Sequence, residues 1–206
     1  VSKIEKIVIA TKNPAKKKRY APLLAKYAKY VLDLTSFKID SSPSEDGVTA
    51  EENARIKALF YARKTKTPAF SIDEALLVDF LPESLQPGVF VRRINGKDGT
   101  SDETLLEYWK EIISKVDKAK RTGHWHIAYC IAYPTGISKT VAVDTPIMFF
   151  FPPSKTIIPG WPMSSLQGPI KFKKPHSELS EEEREDHDKE ANTKIESILK
   201  NMFEQK

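Results

Sequence analysis

The stretch Ile7-Val8-Ile9-Ala10, followed by Thr11-Lys12-Asn13-Pro14 and Ala15-Lys16-Lys17-Lys18-Arg19, constrains this chain more than any other. Four consecutive small or β-branched apolar residues read as a strand buried on both faces, as in a parallel sheet. Asn13 before Pro14 reads as a helix start, with asparagine as N-cap and proline at the first helical position, where its missing N–H costs nothing. Strand, short loop and helix in that order are a βα unit, so an α/β fold is expected. At such a junction backbone N–H groups and the positive end of the helix dipole converge, which suits an anion. Lys16, one turn in, reaches the same place. An ordinary βα unit with a solvated basic helix has the same spacing, and spacing alone favours that reading.

The remaining pattern extends the alternation. A helix that Pro22 is expected to end or kink leads to a strand at 30–34 and a polar loop at 41–47. Thr49 and Glu52 have capping-box spacing and open a helix to about residue 64, with Ile56, Leu59, Phe60 and Arg63 on one face. A short apolar strand then ends at Asp73-Glu74, and residues 76–81 continue apolar. Gln86-Pro87-Gly88 is a turn, and 92–99 a basic, glycine-containing loop. Thr100 and Glu103 form a second capping box before a helix carrying Leu105, Leu106, Trp109, Ile112, Ile113 and Val116 on one face. Strands are expected at 125–133 and at 140–151, the latter interrupted at Pro146. Residues 152–175 are irregular. Ser180 and Glu183 cap a last helix whose first turns are nearly all charged and solvated. Its later part carries an apolar stripe of Ala191, Ile195, Ile198, Leu199, Met202 and Phe203. The whole predicts an α/β fold: a mixed twisted sheet with flanking helices, two lobes around a central cleft, in one domain over residues 1–206.

The net charge of +5 favours anionic ligands without choosing among nucleotides and nucleic acid. A single cysteine, Cys130, excludes an internal disulfide and a cysteine-rich zinc site. No signal peptide is evident, and no apolar run is long enough to span a bilayer, so a cytoplasmic protein with no membrane partner is expected.

Two carboxylate pairs are candidates for a divalent cation: Glu45-Asp46 on a loop and Asp73-Glu74 at a strand end. Loop acids are more often simply solvated, and strand-end acids more often cap the next helix. Arg92 and Arg93 read equally well as anion ligands and as surface charges. Trp161, beside Gly160 and Pro162, reads more readily as a packed anchor than as a stacking platform.

Thr11-x-Asn13-x-x-Lys16 after an apolar strand resembles the opening motif of the inosine triphosphate pyrophosphatase family. Those enzymes hydrolyse non-canonical purine nucleoside triphosphates to the monophosphate and pyrophosphate. The likeness is closest at Ser44-Glu45-Asp46-Gly47-Val48-Thr49-x-x-Glu52-Asn53-Ala54-Arg55-Ile56-Lys57-Ala58. It continues through Ile72-Asp73-Glu74-Ala75-Leu76-Leu77-Val78 and Pro87-Gly88-Val89-Phe90-x-x-Arg93. The resemblance implies that Thr11, Asn13, Lys16 and Lys57 hold the triphosphate and that Glu45 and Asp73 hold Mg2+. It makes Asp73 the proton acceptor, puts Glu74 and Arg93 at the substrate and, more weakly, Trp161 at the base. It also implies a homodimer.

The chain departs from the pattern at several places. Arg19 stands where the family has glutamate. Ile72 replaces an aspartate, Glu74 a serine and Ala75 a glycine. At the base end Ser164 replaces an aspartate, and Asp188-Lys189-Glu190 aligns with a Ser-His-Arg set; His187 is adjacent but out of register. Phosphate and metal residues are mostly kept and base-recognition residues mostly lost. A magnesium-dependent nucleoside triphosphate pyrophosphatase with relaxed base choice is expected. Its rivals are a nucleotide binder that has lost catalysis and, from the Lys16–Arg19 run, a basic nucleic-acid binder; no stable nucleic-acid partner is expected.

Overall fold

A computed structural model describes residues 3–39, 41–94, 99–158 and 161–204. The elements in order are β1 (Ile4–Ile9), α1 (Pro14–Leu24), β2 (Ala28–Asp33), α2 (Ala50–Thr65), β3 (Ala69–Val78), α3 (Asp102–Ser114), β4 (Thr122–Ala132), β5 (Ser138–Phe149), β6 (Gln167–Pro169) and α4 (Glu181–Glu204). The strands form one sheet in the order β2-β1-β3-β4-β5-β6. β1 runs parallel to both β2 and β3, and β5 pairs antiparallel with β6. This is the expected mixed α/β sheet.

The chain divides into two compact units. The first comprises residues 1–73, 127–143 and 189–206; the second comprises 74–126 and 144–188. Each has its own apolar core. In the first, Ile7, Ile9, Phe70 and Ile72 of the sheet meet Tyr20, Leu23 and Leu24 of α1 and Ile195, Leu199, Met202 and Phe203 of α4. The rings of Tyr20, Phe70 and Tyr129 pack with centroids 5.8–6.2 Å apart. In the second, Leu76 and Val78 meet Leu105, Trp109 and Ile113 of α3, with Ile147, Phe149, Met163 and Leu166. Fully burying a large apolar side chain is worth about 1.5–3 kcal/mol, so these clusters dominate each unit's stability.

Several local expectations hold. Asn13 caps α1 with Pro14 in its first turn. Thr49 and Glu52 form the reciprocal capping box of α2. Ser180 and Glu183 exchange the same pair of bonds at α4.

Others are corrected. Helix α1 ends at Leu24, two residues after Pro22 rather than at it. The proline lies in the last turn, where its missing N–H forfeits one bond, and Leu23 and Leu24 are anchored in the core. In α2 the core face is Ala50, Asn53, Ala54, Ala58, Tyr61 and Ala62, not the Ile56–Phe60 side, which is half-buried. Small side chains let this helix lie close to the layer beneath. Ser101, not Thr100, caps α3, its Oγ accepting the Thr104 N–H at 3.2 Å. β5 is continuous through Pro146. The β6 ladder starts at Ile147, so on that side Pro146 faces an open edge, where a missing N–H costs no ladder bond. β3 runs through Asp73 and Glu74 to Val78, so these acids sit in mid-strand rather than at a strand end. Residues 95–98 of the expected basic loop, and Gly160, lie outside the described residues.

Candidate active site

The first unit assembles its candidate groups from several places along the chain. The turn between β1 and α1 supplies Thr11 and Asn13, and the first turn of α1 supplies Lys16; the loop before α2 supplies Glu45; α2 supplies Lys57; β3 supplies Asp73. The Lys57 Nζ donates to Asp73 Oδ1 at 2.8 Å and to Glu45 Oε2 at 3.3 Å. The Lys57 and Asp73 side chains are only 13% and 14% exposed, while Glu45 is 49% exposed. The two carboxylates expected to share a metal thus converge on one ammonium. Burial pushes the Asp73 carboxyl above the ordinary aspartate range; Lys57 and Lys16 pull it back, and the charge of Glu45 adds to the rise.

The loop carrying Glu45 is tied to α2 by the capping-box Glu52 and by Asn53, whose role the sequence alone did not assign. Asn53, 3% exposed, accepts the Gly47 N–H at 2.9 Å and donates to the Gly47 carbonyl at 3.1 Å. Glu52 Oε2 accepts the N–H groups of Val48 at 2.8 Å and Thr49 at 3.2 Å. A Cβ on Gly47 would lie 2.6 Å from Asn53 Oδ1, so only glycine fits there. The Glu-Asn-Ala-x-x-Lys run therefore has a clear division of labour. Its first two residues fasten the acidic loop, and its lysine, one turn beyond Asn53, meets the acids.

The strand-to-helix turn differs from its expected form. The Ala15 and Lys16 N–H groups both donate to Asn13 Oδ1, at 2.9 and 3.4 Å, and the Asn13 N–H donates to Thr11 Oγ1 at 3.2 Å. The N–H groups expected to meet an anion are thus taken by the cap, because an asparagine at this position offers its own oxygen first. Lys16 remains close enough to act on Asp73. Elsewhere in the basic run, Lys17 pairs with Asp33 at 3.2 Å.

Ile72, in the place of the family's first aspartate, is 1% exposed within the first core. Successive residues of a strand point to opposite faces, so β3 does not present Asp73 and Glu74 as a pair, and Glu74 belongs to the second unit. In that unit Arg92 pairs with Asp102 at 2.8 Å. Arg93 is exposed and lies over the Phe90 ring at 4.0 Å. Trp161 meets His176 edge to face at 6.2 Å, His176 meets His187 at 5.7 Å, and His187 meets Phe172 at 6.5 Å. No spacing in the sequence announces this file of rings. Ser164 is buried.

Among the described residues no cluster of three or more histidine, cysteine, aspartate or glutamate side chains is placed to hold a metal. Magnesium does not require one. It binds through one or two carboxylates, substrate phosphates and retained waters, and the convergence of Glu45 and Asp73 fits that demand.

Fold and site together define an α/β protein that gathers two lysines and two carboxylates beside its first βα turn. A model of the Ham1 family matches residues 7–145, and the chain belongs to that family. A protein of Photobacterium profundum, named a dITP/XTP pyrophosphatase, is 38% identical over 123 residues, 60% of this chain and 60% of its own. One of Geobacillus kaustophilus, with the same name, is 34% identical over 131 residues, 64% of this chain and 63% of its own. In these matches the chain spans about three fifths of its relatives' length. The solved structure of a HAM1 protein from Coxiella burnetii superposes with a TM-score of 0.77 over 96% of this chain and 100% of that one, at 23% identity, which shows the shared fold.

Proposed function

We propose that the protein hydrolyses nucleoside triphosphates, deaminated purine ones included, to the monophosphate and pyrophosphate. The observation that carries this reading is the contact of Lys57 with both Glu45 and Asp73. A triphosphate needs cations on its oxygens and a base for the attacking water, and these groups supply both. Lys16 and Lys57 hold the phosphates, with the Thr11–Asn13 turn shaping the floor. Glu45 and Asp73 hold Mg2+, which when bound neutralises charge on the phosphate oxygens. Asp73 accepts a proton from a water whose oxygen bonds to the α-phosphorus, while the bond from that phosphorus to the pyrophosphate oxygen breaks. Burial raises the proton affinity of Asp73 above that of an ordinary aspartate, the direction that favours a general base. In the second unit, the family resemblance supports contacts of Arg93 and Glu74 with the substrate and, more weakly, of Trp161 with the base.

Residues 1–206 act as one domain, which β3, β4 and β5 support by running through both units. The family resemblance supports a homodimer; a cytoplasmic location and the lack of a stable nucleic-acid partner are part of the same proposal. No helix among the described residues is long and apolar enough to cross a membrane. The test is a pyrophosphate-release screen over inosine, xanthosine, adenosine and guanosine triphosphates with magnesium, repeated in excess chelator. Release from the deaminated pair that vanishes with the chelator and returns with magnesium or manganese is expected. Release that persists in chelator removes the metal assignment, and no release from any triphosphate overturns the activity.

A further inference from the structure

Lys57 has an unusual position for a phosphate ligand. Its ammonium occupies the point on which Asp73 Oδ1 and Glu45 Oε2 converge, 2.8 and 3.3 Å away. A magnesium ion held by the same two carboxylates would bring their oxygens to about 2.0–2.1 Å of a common centre. One place cannot hold both cations. The lysine is not there by the accident of a mobile surface chain: its side chain is 13% exposed. It also rises from α2 one turn beyond Asn53, which fastens the Glu45 loop to that same helix.

We propose that Lys57 is an internal counter-ion that keeps divalent cations out of the nucleotide-free site, and that the triphosphate draws it off, so that metal and triphosphate enter together. The inference rests on the metal assignment made under the proposed function and adds an order of binding to it. With the ammonium in place the three side chains sum to one negative charge; with it drawn onto phosphate oxygens they present two to the metal. Each ligand therefore strengthens the other's binding, and by linkage the effect is reciprocal, of the about 5- to 150-fold size usual for coupled sites. The metal–nucleotide complex is then the species the protein takes up, and free metal is held weakly.

Manganese, followed by its electron paramagnetic signal in the nucleotide-free protein, is the probe. Wild type is expected to bind it no better than about millimolar. Lys57→Gln should bind it at least about tenfold tighter, and Lys57→Arg, which keeps the charge, should stay near wild type. Inorganic pyrophosphate, probed without metal, should bind Lys57→Gln at least about tenfold more weakly. Equal or weaker manganese binding by a folded Lys57→Gln overturns the proposal. So does micromolar binding by wild type alone, a measurement that needs no variant. The reading beneath it is tested separately by adding Glu45→Gln or Asp73→Asn to the Lys57→Gln protein. Lost manganese affinity supports both, whereas unchanged tight affinity shows that the metal sits elsewhere and brings both down.

Discussion

The first unit holds its candidate groups against one another; the second holds them against its own scaffold. In the first, Lys57 touches two acids, Lys16 acts on one of them, and Asn53 fastens the loop that carries the other. In the second, Arg92 is spent on Asp102, Arg93 lies on Phe90, and Trp161 leans on His176. A charge cluster works only if several elements agree on its geometry, so the residues around it are tightly specified. A stacking surface needs one ring and tolerates replacement around it. The likeness to the family is closest at residues 44–58, in the first unit, and is largely lost around Ser164, in the second.

The largest expected effect sits at the centre of the first cluster. Asp73→Asn keeps the shape and removes the charge, so turnover should fall at least about a hundredfold, within the range for losing a general base, while circular dichroism stays unchanged. Glu74→Gln, next on the strand but in the second unit, should act mainly on KM and lower turnover far less than Asp73→Asn does. Near-wild-type turnover in a folded Asp73→Asn protein would move the base elsewhere and erase the contrast between the units.

The clamp comes next. Asn53→Ala leaves the Gly47 N–H and carbonyl without their partner, at a cost of about 1–3 kcal/mol, read as a lower melting temperature. Turnover should drop with it as the Glu45 loop loosens. Its counterpart in the second unit, Arg92→Ala, breaks a half-exposed ion pair worth no more than about 1 kcal/mol. If the arginine proves the costlier of the two, the contrast is reversed.

Trp161→Ala should cost less than the clamp in the quantity that matters for activity, about tenfold in kcat/KM, the lower part of the 1–3 kcal/mol usual for stacking a base on an aromatic ring. The loss should be the same for all four purine triphosphates, since every base offers a face. Wild type should favour the deaminated pair by less than about a thousandfold, below the discrimination of sites that match a polar edge. A stronger preference would show that groups such as His176 and His187 read the base edge.

What the sequence made legible follows the range of the interactions. The caps at Asn13, Thr49 and Ser180 join residues two or three apart, so spacing alone disclosed them. Pro146 was expected to interrupt β5 and does not, because its cost depends on where it falls in the ladder, which only packing decides. Thr100 and Ser101 are both competent caps, and the backbone chose the second. In the site, Glu45, Lys57 and Asp73 are far apart in the chain and were grouped only through family resemblance. The Gly47–Asn53 clamp had a faint signal, a glycine beside an acidic pair ahead of a capped helix. The file from Trp161 to His187 had none, since aromatic contacts across an irregular segment leave no period.

The smallest effect sharpens the comparison by sign rather than size. Burial raises the proton affinity of Asp73 in the folded protein above its ordinary value of 3.8. Between that value and the folded one, the native state binds the proton more than the unfolded chain does, so this group lowers stability as pH rises through the window. Glu183, in the second unit, is shifted the other way by its bonds to Lys174 and to the Ser180 N–H. Below its ordinary value of 4.5 the unfolded chain holds the proton more tightly, so Glu183 contributes stability that is complete above 4.5 and lost as pH falls through the folded value. Melting curves of the metal-free protein from acid to neutral pH should therefore separate the two. Relative to wild type, Asp73→Asn should gain stability more steeply on raising pH, and Glu183→Gln less steeply, with the second change small because the pair lies at the surface, partly exposed to screening by water. Two variants whose slopes shift in the same direction would show that Asp73 is held by its lysines more firmly than its burial penalises it.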